Sequence, residues 1–180
     1  MAGERIPVHT LSHDKREALL VRCWMSHDAK WFAVVAAALG IEVANRLSRA
    51  AAHAQGKAEA ECVVRALELP AVVGLDDYLA VQDLLIGLLV PELLDYEVER
   101  LDDRTCRLHI TRCFAHENVT RAGIAAQYEC GLFARLAGWL QALGLRYAMS
   151  PCLEGCPKAR GRECVYTIAL RGHAEEGPPL

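Results

Sequence analysis

The chain has 180 residues, 53% of them hydrophobic, with a formal net charge of −3. That length and apolar content support one domain with a sizeable core, or a domain plus a helical extension, and exclude a largely disordered chain. The mild negative charge, with no long Lys/Arg run, argues against nucleic acid as the main partner.

The first half reads as helical. Ser12 or Asp14 caps a short helix to about Trp24. Ser26 is placed to cap a second one, with Asp28 in its first turn where the helix dipole favours a negative charge. The Ala-rich stretch 29–39 follows, Gly40 interrupts it, and a further helix runs from Ile41 to about Leu69, stopped by Pro70. The longest apolar run, Trp31 to Ile41, is too short to span a bilayer. The N-terminus lacks the form of a secretory signal, so the expectation is a cytoplasmic protein with no membrane partner. Small side chains in this half let helices approach closely, which suggests a homodimer surface.

Trp24, His27, Asp28 and Trp31 cluster at the expected helix start. His27 and Trp31, four residues apart, share a helix face. One reading is the mouth of a ligand pocket, with His27 and Asp28 available for catalysis. The plainer reading is a capped helix with packed tryptophans.

Asp76 or Asp77 caps a helix from Tyr78 to about Val90. The period then becomes two. Leu94, Tyr96 and Val98 alternate with acids, and Cys106, Leu108 and Ile110 alternate with polar residues, with a hairpin turn at Asp102-Asp103-Arg104. Residues 116–123 read as a loop, Ile124 to Leu143 as a helix, and Leu145–Ser150 and Glu163–Leu170 as two more strands. The tail from 173 reads as disordered. The expected fold is α+β: a helical N-terminal half, then an antiparallel sheet of about four strands with one crossing helix and a cysteine-rich loop. The boundaries fall at 1–70 for the helical extension, 71–172 for the α+β domain and 173–180 for the tail.

Three of the eight cysteines, Cys152, Cys156 and Cys164, share the last strand connection, and Cys130 precedes them on the expected crossing helix. In a reducing compartment such thiols are free or bind metal. Four thiolates converging on one point make a closed zinc site; an iron–sulfur cluster takes the same donors. Cys23, Cys62 and Cys106 sit in apolar patterns and read as small hydrophobes. Cys113, with His116 three residues on, stays open among an inert thiol, a further metal ligand and a nucleophile with its base.

The segment from Tyr128 to Leu170 resembles the 4-vinyl-reductase-like domain, through Cys130-Gly131 in an apolar segment, then Cys156, Gly161, Cys164 and the strand Val165-Tyr166-Thr167-Ile168. The resemblance implies a small-molecule-binding domain with a structural zinc on Cys130, Cys156 and Cys164. Cys152 takes the place of the family's glutamate, with Glu154 as competitor. The whole chain also resembles an uncharacterised prokaryotic family labelled as related to aminothiazoline-carboxylate hydrolase, through Met25-Ser26-His27-Asp28-Ala29-Lys30-Trp31-Phe32, Cys113, Cys130 and Cys156-Pro157. The expected function is a metal-stabilised protein binding an apolar or aromatic ligand near Trp24, His27, Trp31, Cys113 and His116. The alternatives are a small-heterocycle hydrolase using Cys113/His116 or His27/Asp28, and an iron–sulfur protein.

Overall fold

A computed structural model describes residues 10–89, 92–151 and 155–173. The fold is α+β: three helices, then a four-stranded antiparallel sheet with further helices packed against it. Cys152, Glu154 and the tail from 174 lie outside the described residues.

Helix α1 runs unbroken from His13 to Leu39, capped by Ser12, whose side chain accepts from the Lys15 N–H. The expected break at Ser26 is absent. Ser26 sits in mid-helix and its hydroxyl accepts from Lys30 Nζ, 2.7 Å away. Good helix formers on both sides of the Ser-His-Asp triplet carry the helix through it, so a residue suited to a cap is spent on an i,i+4 contact. Gly40, at φ 90°, turns the chain into α2, Ile41–Ala66. Helix α3 spans Leu75–Leu89 and begins three residues before the expected start. Asp77 still serves its start, accepting from the Val73 N–H at 2.9 Å.

Strands β1 (Leu94–Arg100), β2 (Thr105–Cys113), β3 (Leu145–Ser150) and β4 (Cys164–His173) lie in the order β1-β2-β4-β3. One face carries Leu94, Cys106, Leu108, Ile110, Tyr166, Ile168 and Leu170, all buried. The other bears Glu97, Glu99, Arg107 and His109, paired across the β1–β2 hairpin. A bulge sits where Asp95 pairs with Arg112 but Tyr96 pairs with Ile110. The extra residue, Thr111, resets the alternation, so Cys113 is buried on the same side as Ile110.

Residues 114–121, expected mostly as loop, form helix α4, Phe114–Arg121, with Glu117 in its first turn and Arg121 in its last. The expected helix from Ile124 shortens to α5, Leu132–Ala142, preceded by one 3-10 turn. Cys130 therefore lies just before a helix, not in its second turn.

Helices α2 and α5 pack backbone to backbone. Gly56 lies against the Arg135 carbonyl, and Gly138 against the His53 carbonyl and the Lys57 N–H. A Cβ on Gly138 would stand 2.2 Å from the His53 oxygen, so only glycine allows this approach.

Candidate functional site

Between the inner face of the sheet and the helices is an apolar cavity of about 240 Å³. Leu94, Tyr96, Leu108, Ile110 and Tyr166 form its sheet wall, and Leu132, Arg135, Leu136 and Trp139 of α5 face them. Phe114, Val119 and Ile124 close one side, while Met25, Asp28 and Phe32 of α1 form the rim. The volume exceeds the roughly 150 Å³ of an apolar cavity known to accept benzene.

The wall before α5 is fixed from α2. Asn45 is 3% exposed. Its side-chain amide donates to the Gln127 carbonyl at 2.8 Å and its carbonyl accepts from the Glu129 N–H at 3.1 Å. Phe32 packs edge-on against Tyr128, ring centroids 5.7 Å apart, tying α1 to the same segment.

Two charged residues line the cavity. The Asp28 side chain is 58% exposed at the rim. Arg135 is nearly buried and already engaged: its Nε donates to Glu59 Oε2 at 2.7 Å, and its Nη2 donates to Glu59 Oε1. Trp139 Nε1 also donates to Glu59 Oε2, at 3.0 Å, and Trp24 of α1 stacks beneath the guanidinium at 4.9 Å. Glu59 thus neutralises the cation that borders the cavity. Burial pushes the Tyr128 and Tyr166 hydroxyls above the ordinary phenol range, and nearby Cys130 and Cys164 add to the effect. Both rings therefore stay neutral and keep an O–H to donate.

Beside Tyr128 the structure gathers thiols. Cys113 ends β2, Cys130 precedes α5, Cys156 lies in the β3–β4 connection and Cys164 opens β4. Burial raises the Cys130 thiol to about 12 and the Cys164 thiol to about 11. Charge on Cys113 and Cys156 raises both further, and burial also raises Cys113 itself. The Leu132 and Phe133 N–H groups at the start of α5 point to Cys130 and oppose the shift. The loop is tied down by Lys158, whose Nζ donates to the Thr111 carbonyl at 2.8 Å. Among the described residues, no three His, Cys, Asp or Glu side chains stand close enough together to hold a metal ion.

The expected site residues separate into two groups. Cys113 and Cys156 lie near enough to Cys130 and Cys164 to act on them electrostatically, but not as a ligand group; Cys152 and Glu154 lie outside the described residues. His27 and Trp31 do not enter the cavity. The His27 side chain is 76% exposed, 3.6 Å from Asp28, and Trp31 is 41% exposed on the outer flank of α1. Trp24 reaches the cavity's edge through Arg135. His116 follows Cys113 at the start of α4, and the backbone N–H groups of His116 and Ala115 partly offset the rise of the Cys113 thiol. A thiol raised by burial is a poor nucleophile at neutral pH. The sequence reading missed Glu59, Arg135, Tyr128, Tyr166 and Asn45. The available signal was a lone Arg in the apolar stretch 132–142.

These environments order the thiols by reactivity. Under non-denaturing alkylation at pH 8, the exposed Cys23 and Cys62 label first. Cys106 and Cys164, both buried and both raised to about 11, label last, as peptide mass spectrometry would read. Early labelling of Cys106 would contradict the burial described.

No helix among the described residues is long and apolar enough to cross a membrane. Compared with known protein families and curated sequences, the chain matches no family model and no curated protein.

Proposed function

We propose that this protein binds a small, neutral, aromatic or apolar molecule in the cavity between sheet and helices. The observation that carries the reading is the cavity itself: apolar, ring-sized and walled by rigid elements, with few polar groups. Its cation is held by Glu59, so an anionic ligand would have to displace a buried carboxylate. Tyr128 and Tyr166 offer O–H donors, which suits a ligand with one acceptor such as a hydroxyl, carbonyl or ring nitrogen.

The proposal includes a structural zinc on the thiols beside Tyr128. Cys130, Cys156 and Cys164 are the expected ligands, and the fourth would come from Cys113, Cys152 or Glu154. Cysteine thiolates are suitable donors for zinc, and a metal would offset the cost of burying their charge. Bound there, zinc would tie the β3–β4 connection to the segments that carry the cavity-lining Phe114 and Tyr128. The likeness to 4-vinyl-reductase-like domains belongs to this proposal. About one zinc per chain in colourless, anaerobically purified protein is the expected metal analysis. Iron with brown colour would replace zinc by a cluster on the same cysteines.

The ligand reading is tested by isothermal titration with p-cresol and with benzoate. Saturable binding of p-cresol and none of benzoate is expected. Val119→Phe, which fills the cavity, should weaken p-cresol by about tenfold or more. Equal binding to the variant, or preference for benzoate, would overturn the reading.

A further inference from the structure

Helix α1 carries an apolar flank that nothing in the described chain covers. Phe32 is its one buried residue, yet Leu20 is 60% exposed, Trp31 41% and Val34 67%. With His27 and half-buried Trp24 they fall at heptad spacing, so they form one stripe rather than scattered contacts. The stripe is nearly symmetric about His27. Large apolar side chains stand seven residues before it (Leu20), three before (Trp24), four after (Trp31) and seven after (Val34).

We infer that this stripe docks on the same stripe of a second copy, with the two α1 helices antiparallel and crossing at His27. A twofold contact requires a surface that matches itself. Here the symmetry sets Leu20 against the partner's Val34, and Trp24 beside the partner's Trp31. The size is sufficient: a helix of this length extends about 40 Å, and covering one flank in two copies removes on the order of 1,000 Å² in total, near the minimum for a specific interface. The composition favours protein over lipid. Interfacial membrane helices are dominated by Lys and Arg beside their apolar face, whereas the charges of this one are of mixed sign, with Asp14, Glu17 and Asp28 beside Lys15, Arg16, Arg22 and Lys30, and His27 and Cys23 lie in or beside the stripe. The contact also reaches the cavity, because Trp24 at the stripe's edge stacks on Arg135.

The test is sedimentation equilibrium of the full chain up to about 100 µM, a range covering micromolar association. The wild type sediments as a dimer. Leu20→Lys and Val34→Glu each give a monomer, with helicity by circular dichroism unchanged because both sites are exposed. The double variant, which pairs each lysine with the partner's glutamate, recovers the dimer. A monomeric wild type would overturn the proposal, whether it stays free or co-sediments with phosphatidylcholine vesicles. A dimer insensitive to both single substitutions would overturn it too, because the contact would then lie elsewhere. None of these outcomes depends on ligand binding in the cavity.

Discussion

Gly138→Ala is expected to destabilise the protein by on the order of 3 kcal/mol, seen as a fall of roughly 10 °C in melting temperature for a chain of this size. The added Cβ would stand 2.2 Å from the His53 carbonyl oxygen and 2.7 Å from the Lys57 nitrogen. Both atoms belong to the backbone of α2, so no side chain can swing away. The two helices must separate, which opens the packing along their whole contact. Gly56→Ala meets the Arg135 carbonyl at 2.1 Å from the other side of the same crossing and should behave alike. Gly87→Ala is the control. It lies on an exposed turn of α3 with nothing within 4 Å of a new Cβ, and helix propensity alone should stabilise it by up to about 1 kcal/mol. If Gly138→Ala melts with the wild type, α2 and α5 do not cross as closely as described.

Glu59→Gln is expected to cost about 3 kcal/mol, because it leaves the buried Arg135 guanidinium without its counter-charge. The side chains of Glu59 and Arg135 are 5% and 13% exposed, so water replaces little of what is lost. Glu59→Leu combined with Arg135→Leu should recover most of the stability, since neither charge then remains buried. Chemical denaturation of the two variants beside the wild type reads this directly. The substitution also alters binding. With Glu59 neutral, Arg135 becomes an unpaired cation at the cavity wall, and Glu59→Gln should bind benzoate where the wild type does not. A stable Glu59→Gln variant that still rejects benzoate would mean that Glu59 does not set the cavity's charge preference.

The strands were legible because a half-buried strand writes its geometry as simple alternation. Leu94-Tyr96 and Cys106-Leu108-Ile110 do so, and the Asp102–Arg104 turn joins them in register. The continuity of α1 was not legible. Ser26 and Asp28 have the chemistry of a helix start, and local preference cannot tell an N-cap from a mid-helix serine bonded to Lys30. Helix α4 was obscured for another reason: at eight residues it is too short for its periodicity to stand out from a loop. The α2–α5 crossing rests on two glycines far apart in the chain. Glycine commonly marks turns, and nothing local shows that these two face a backbone instead. The burial of Cys113 on the inner face was not legible, since it depends on a one-residue bulge that no spacing rule contains. The cavity was least visible of all, since its walls are drawn from helices and strands at both ends of the chain.

The most direct measurement of the central claim is a methyl spectrum of protein labelled at isoleucine, titrated with p-cresol. Ile86, Ile110 and Ile124 line the cavity, while Ile41 at the start of α2 and Ile168, in the core but outside the cavity wall, serve as references. The account predicts saturable shifts at Ile86, Ile110 and Ile124, with nuclear Overhauser contacts from the cresol ring to those methyls and none to Ile41 or Ile168. Shifts at Ile41 alone, or no saturable shift at the three cavity methyls, would contradict it.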